Sequence, residues 1–132
     1  MEIAPPRKAM KLAVSVPFHC SLLKDAAAGF AEVLDGVAFA DPAFPIYCNV
    51  DAAPVTTGAQ ACDALKRQFS GAVLWEKSVA RMLQDENVRH FIECGPKAPL
   101  LRMVAQIAND IGVEGIETQA ATKPDELESL RE

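Results

Sequence analysis

The sequence predicts an α/β layered fold. Short apolar runs alternate with longer stretches whose hydrophobic residues recur at three-and-four spacing, the pattern of strands separated by amphipathic helices. The junctions carry proline, glycine or capping pairs, as element boundaries do. Half of the 132 residues are hydrophobic, enough to fill a core although nine prolines make the chain loop-rich. Strands that alternate with helices in this way are expected to pair in parallel.

Residues 1–11 form a polar, proline-containing lead without a pattern of its own. Lys11 to Val16 reads as a strand closed by Pro17, an orphan at the start of the chain. From Ser21 the residues Leu22, Leu23, Ala26, Phe30, Val33, Leu34 and Val37 trace one buried helical face, with Lys24, Asp25 and Glu32 outside and Gly36 at the end. After Asp41-Pro42, Phe44 to Val50 reads as a second strand with Asn49 and Asp51 at its C-terminal end.

Thr57 and Gln60 have the spacing of a capping box and open a helix that turns Ala61, Leu65 and Phe69 inward and stops at Ser70-Gly71. Trp75, Val79, Met82 and Leu83 give a further amphipathic helix to about Asp85. Arg89 to Cys94 is a third strand, halted by Gly95-Pro96. Pro99 suits the first turn of a helix with the stripe Leu100, Leu101, Val104, Ile107, Ala108 and Ile111, which Gly112 ends. A short strand over Ile116 to Thr118 and a last helix from Thr122-Lys123-Pro124-Asp125, with Leu127 and Leu130 on its buried side, complete the order. Three or four strands make a thin sheet, and the apolar helix faces call for more partners than the chain supplies, as a piece of a larger domain would.

Composition excludes several classes of function. The formal charge is −5 with Lys and Arg scattered, so there is no electrostatic footprint for nucleic acid. No apolar run approaches the roughly 20 residues of a membrane span, and Met1 to Pro6 lacks the regions of a signal peptide, so a cytoplasmic protein is expected. Cys20, Cys48, Cys62 and Cys94 stand far apart, which suggests reduced, packed thiols rather than a zinc ribbon or redox motif.

His19 is the first candidate for chemistry, because it follows an apolar run and a proline and stands directly before a helix, where open α/β folds place working side chains. A histidine can take a proton from a nucleophile and return it to a leaving group when one ring nitrogen is held as a donor. The orienting acceptor could be Asp51, Asp63 or a backbone carbonyl such as that of Gln68, whose place in the last turn of a helix leaves it without an intrahelical partner. No nucleophile presents itself. None of Ser15, Ser21, Ser70, Ser78 or Ser129 lies in a Gly-x-Ser-x-Gly elbow, and Cys20, next to His19 in sequence, reads as a packing residue. His90, within an apolar strand, reads as structural, and Trp75 and Met82 as packing.

The run Val14-Ser15-Val16-Pro17-Phe18-His19-Cys20-Ser21-Leu22-Leu23 is followed by Asn49-Val50-Asp51, by Leu65-Lys66-Arg67-Gln68-Phe69 with Val73-Leu74-Trp75 and Ser78-Val79, and by Glu93-Cys94-Gly95-Pro96. In this order and spacing the chain resembles the C-terminal portion of malonyl-CoA:acyl-carrier-protein transacylases from about Arg7 onward. The resemblance implies the C-terminal part of a parallel-sheet, hydrolase-like acyltransferase core, with residues 1–13 leading in from a ferredoxin-like subdomain and 14–132 forming part of the core. It implies malonyl transfer from coenzyme A to the phosphopantetheine thiol of acyl carrier protein in cytoplasmic fatty acid biosynthesis, through an ester on a serine and without a cofactor.

On the same resemblance His19 is the general base and the main-chain carbonyl of Gln68 orients it. Phe18 favours malonyl over α-branched acyl groups, and Asn49 is a supporting residue. The family's serine elbow, oxyanion-hole glutamine, carboxylate-binding arginine and most of the ferredoxin-like subdomain lie upstream of these residues. The chain alone is therefore expected to be inactive, with malonyl-CoA, acyl carrier protein and the N-terminal part of the same enzyme as its partners. The alternative is a non-catalytic remnant or interaction module that retains the fold.

Overall fold

The computed structural model describes residues 16–128. The 1–13 lead-in, most of the first expected strand (Lys11 to Ser15) and Leu130 of the expected last helix lie outside them, and Val16 sits in a bend rather than a strand. The first helix opens with a single 3-10 turn, Ser21–Leu23, and continues as α1, Lys24–Asp35, capped by Gly36. The expected buried stripe is largely uncovered. Only Leu34 of α1 is buried, while Leu22 is 77% and Val33 66% exposed. Among the described residues the main neighbours of α1 are its own 3-10 turn and one other helix, and none of them lies across most of the apolar face.

The strand expected over Phe44 to Val50 shortens to β1, Ile46–Cys48. It pairs with β2, Ala53–Val55, which the sequence did not announce, in the register Ile46 with Val55, Tyr47 with Pro54 and Cys48 with Ala53. The pair is antiparallel, a correction to the expectation of parallel pairing. Asn49 to Ala52 is all that joins the strands, and so short a link closes a hairpin but cannot carry a crossover. Ala52 donates its amide to the Cys48 carbonyl at 2.9 Å and is fully buried at φ 51°.

Helix α2, Gly58–Gln68, starts on the capping box read from the sequence. Thr57 Oγ1 accepts from the Gln60 amide at 3.2 Å, and Gln60 Oε1 accepts from the Thr57 amide at 3.2 Å. Its first residue must be glycine for a steric reason. A Cβ at Gly58 would lie 2.1 Å from the Phe39 carbonyl oxygen, and the Gly58 amide donates to Asp41 Oδ1 at 2.8 Å. Helix α1 lies on α2, and the rings of Phe30 and Phe69 meet with centroids 5.0 Å apart.

The second half of the chain forms a βαβ unit on a helix. After α3, Trp75–Gln84, strand β3, His90–Cys94, runs parallel to β4, Glu117–Ala121, with α4, Leu100–Asp110, as the crossover. The register sets His90 opposite Glu117 and Cys94 opposite Ala121, so the final strand lies later and runs longer than Ile116 to Thr118. Pro99 stands just before α4 rather than within its first turn, and the cap comes from β3. Glu93 Oε2 accepts from the amides of Leu100 and Leu101 at 2.8 and 3.0 Å, placing a carboxylate on the positive end of the helix. Gly112 takes φ 70° just after the helix. A last helix, α5, spans Pro124–Glu128.

Val79 and Leu83 of α3 interlock with Val104, Ile107 and Ala108 of α4 as the buried core, and Trp75, Phe91 and Ile116 pack against it. Instead of one thin sheet, the described residues hold two separate two-stranded ladders, β1-β2 and β3-β4. The two halves meet through the turn after β1. Its Asn49 carbonyl accepts from the Leu74 amide at 2.9 Å, and its Ala52 carbonyl accepts from Arg81 Nη1 at 3.0 Å. Among the described residues no helix is long and apolar enough to cross a membrane.

Candidate active site

His19 stands in the link before the first helix, and local bonds shape that link. Phe18 donates its amide to the Val16 carbonyl at 3.0 Å, Cys20 Sγ donates to the Pro17 carbonyl at 3.1 Å, and the Leu23 amide returns to the Cys20 carbonyl at 3.1 Å. The chain reverses at His19 itself, whose φ of 54° lies in the left-handed region that non-glycine residues seldom adopt. A residue held in such a conformation is a mark of functional sites when its surroundings enforce it.

The ring is fixed from the far side of the cleft. His19 Nδ1 lies 3.1 Å from the main-chain oxygen of Gln68. A carbonyl oxygen can only accept, so Nδ1 carries the proton in this contact and Nε2 keeps its lone pair. Gln68 can receive the bond because it is the last residue of α2, beyond which no amide continues the ladder. The two acidic candidates for this task are engaged elsewhere. Asp51 and Asp63 both bond Arg67.

His19 and Phe18 line a cleft of about 340 Å³ between the start of the first helix and the end of α2, walled by Val16, Leu65 and Phe69. The other lining residues are apolar, so His19 and Gln68 are its polar members. Phe18, one of the lining residues, is 58% exposed. A neighbouring cleft of about 250 Å³ shares Leu65 and Gln68 with the first and carries Asn49, Tyr47 and Cys48 on its other wall. Gln68 therefore sits between the two clefts, with His19 on one side and Asn49 on the other. Burial raises the Cys48 thiol pKa, with Asp51 adding to the effect, which keeps that sulfur in its neutral form. Cys20 spends its S–H on the Pro17 carbonyl, and Ser78 is buried with its hydroxyl on the Leu74 carbonyl at 3.0 Å. Neither has a bond to His19. His90 lies exposed at the start of β3.

The arrangement can accept a proton at Nε2 from a group entering the cleft and give it back. It does not supply that group among the described residues. Sequence reasoning missed the Arg67 ion pairs. The i,i+4 spacing of Asp63 and Arg67 was a visible signal, whereas the pairing with Asp51 needed the hairpin that brings it near.

No family model matches the chain. It is 36% identical over 118 residues to the malonyl CoA-acyl carrier protein transacylase of Salmonella typhimurium (strain LT2), which covers 89% of this chain and 38% of that protein. The structure of an acyl carrier protein S-malonyltransferase from Vibrio cholerae O1 superposes with a TM-score of 0.81 at 32% identity, over 94% of this chain and 39% of that one. A malonyl-transacylase in complex with its type II PKS acyl-carrier protein superposes with a TM-score of 0.80 at 32% identity, over 93% and 38%. The α/β fold is thus that of part of these enzymes, and the chain spans about two-fifths of the length of the curated relatives it matches.

Proposed function

We propose that the chain contributes the general base of a malonyl-CoA:acyl-carrier-protein transacylase whose remaining parts lie in the three-fifths of the relatives' length that it does not span. The observation that carries this reading is the hydrogen bond from His19 Nδ1 to the Gln68 carbonyl, which leaves Nε2 as the free acceptor of a ring that lines an apolar cleft.

In this reading a serine hydroxyl from the rest of the enzyme gives its proton to Nε2 as its oxygen attacks the malonyl thioester. The C–S bond breaks and the proton passes to the departing coenzyme A thiolate. In the second half His19 takes the proton of the phosphopantetheine thiol, whose sulfur attacks the seryl ester, and returns the proton to the serine oxygen as the C–O bond breaks. The chemistry calls for no cofactor beyond the two thioester carriers. The Phe18 ring in the lining of the cleft crowds a branched α-carbon, which favours malonyl, and Asn49 supports the site from the second cleft.

The exposed faces of Leu22 and Val33 in the first helix and of Phe44 ahead of β1 are the surface on which the rest of the enzyme docks. The same surface is the specific support for a second reading, an interaction module that keeps the fold without the chemistry. A malonyl-transfer assay on the purified chain, with and without the N-terminal part of the enzyme added in trans, separates them. Recovery of transfer only in the mixture, and its loss with His19→Ala, is expected. Transfer at the full rate by the chain alone, or a complex that forms but stays inactive with intact serine and arginine, rules the first reading out.

A further inference from the structure

The carbonyl that orients His19 needs support of its own, because Gln68 closes α2 and the last turn of a helix has no continuing ladder to hold it. A charged clamp borders it. Arg67 donates from Nη1 and Nη2 to the two oxygens of Asp51 at 2.7 and 2.6 Å, and from Nε to Asp63 at 2.7 Å. Asp63 lies one turn back on the same helix, so that contact only braces the arginine side chain. Asp51 belongs to the turn between β1 and β2, so the two-pronged bond ties the helix end to a different element.

That turn is a firm anchor. Asn49 accepts from the Leu74 amide, Ala52 donates to the Cys48 carbonyl, and Arg81 of α3 donates to the Ala52 carbonyl. Ala52 is fully buried with φ 51°, a conformation unfavourable for a residue with a Cβ that persists only where several contacts enforce it. The chain leaving α2 presses on the same last turn. A Cβ at Gly71 would lie 2.8 Å from the Arg67 carbonyl oxygen and 2.9 Å from Val50 Cγ2.

The geometry points to Asp51 and Arg67 as positioning residues for His19. By fastening the last turn of α2 to the β1-β2 turn, they hold the Gln68 carbonyl where it keeps the imidazole proton on Nδ1. Neither touches the ring, and both act through Gln68. The Arg67 and Asp51 side chains are 44% and 40% exposed, and pairs so exposed add little to global stability. Their removal therefore alters the ring before it alters the fold. The inference deepens the reading of His19 as a base, yet its geometry can be measured without turnover.

The test is long-range ¹H–¹⁵N NMR of the imidazoles in the ¹⁵N-labelled full chain at a pH where they are neutral, with His90→Gln used to assign the two rings. The unaltered chain is expected to show His19 as the Nδ1–H tautomer. Asp51→Asn and Arg67→Lys, which keeps the charge but not the fork, are expected to lose that signature in favour of Nε2–H, and Asp63→Asn to retain it. An unchanged tautomer in a folded Asp51→Asn or Arg67→Lys chain overturns the inference, as does an Nε2–H ring in the unaltered chain. If Asp51→Asn does not fold, Arg67→Lys decides; failure of both to fold assigns the pair to the fold and likewise overturns it. An inactive reconstituted enzyme whose tautomer still responds removes the proposed function and leaves the clamp standing.

Discussion

The imidazole Nδ1 of His19 and the main-chain oxygen of Gln68 stand 3.1 Å apart across 49 positions of sequence. The acceptor is backbone, so the Gln68 side chain is dispensable for this contact. Gln68→Ala is expected to retain the Nδ1–H tautomer of His19 and, in an enzyme reconstituted with its N-terminal part, to keep transfer within a few-fold of the unaltered mixture. A drop comparable to that of His19→Ala would place the side chain, not the carbonyl, in the mechanism.

The Asp51 carboxyl is held below its ordinary value of 3.8 by the hydrogen bonds from Arg67, against a smaller opposing effect of burial. Because the folded pKa is the lower one, the stabilisation is fully present above the unfolded value and is lost as pH falls through the folded value. Urea midpoints are therefore expected to decline below about pH 4, with a shallower decline in Asp51→Asn. The difference should stay under about 1 kcal/mol, since the pair is partly open to solvent. Parallel profiles for the two proteins over pH 2 to 5 contradict this.

Gly58 has no room for a side chain. The atoms nearest an added Cβ are the backbone oxygen and carbon of Phe39, at 2.1 and 2.7 Å, and backbone cannot swing aside as a flexible side chain does. Gly58→Ala is expected to cost about 1–3 kcal/mol or more by overpacking, although alanine is the better helix former. Chemical denaturation measures it, and a stability equal to or above that of the unaltered chain would show that the Phe39 segment yields.

Glu93 caps α4 from a neighbouring strand, and no side chain caps that helix locally. Glu93→Ala is expected to lower stability by about 0.5–2 kcal/mol, the range of a lost helix cap, and to speed amide exchange at Leu100 and Leu101 ahead of the rest of the helix. Uniform exchange along α4 would mean that the carboxylate acts elsewhere.

The elements whose causes are local could be read from the residues alone. The Thr57–Gln60 box, the prolines and glycines at the ends of α4, and the three-and-four stripe of Val79 and Leu83 all act within a turn or two, and each helix appears where its pattern places it. The sequence also named His19 and offered three acceptors for its ring. The choice among them turns on contacts between segments far apart in the chain, which no local pattern encodes. The short link after Cys48 folds β1 and β2 into a hairpin, the hairpin carries Asp51 to Arg67, and the carboxylates so occupied leave the Gln68 carbonyl to meet the imidazole. The exposure of Leu22 and Val33 was decided in the same way. Periodicity says which face of a helix is apolar, and only the presence of a second surface against it determines whether that face is buried.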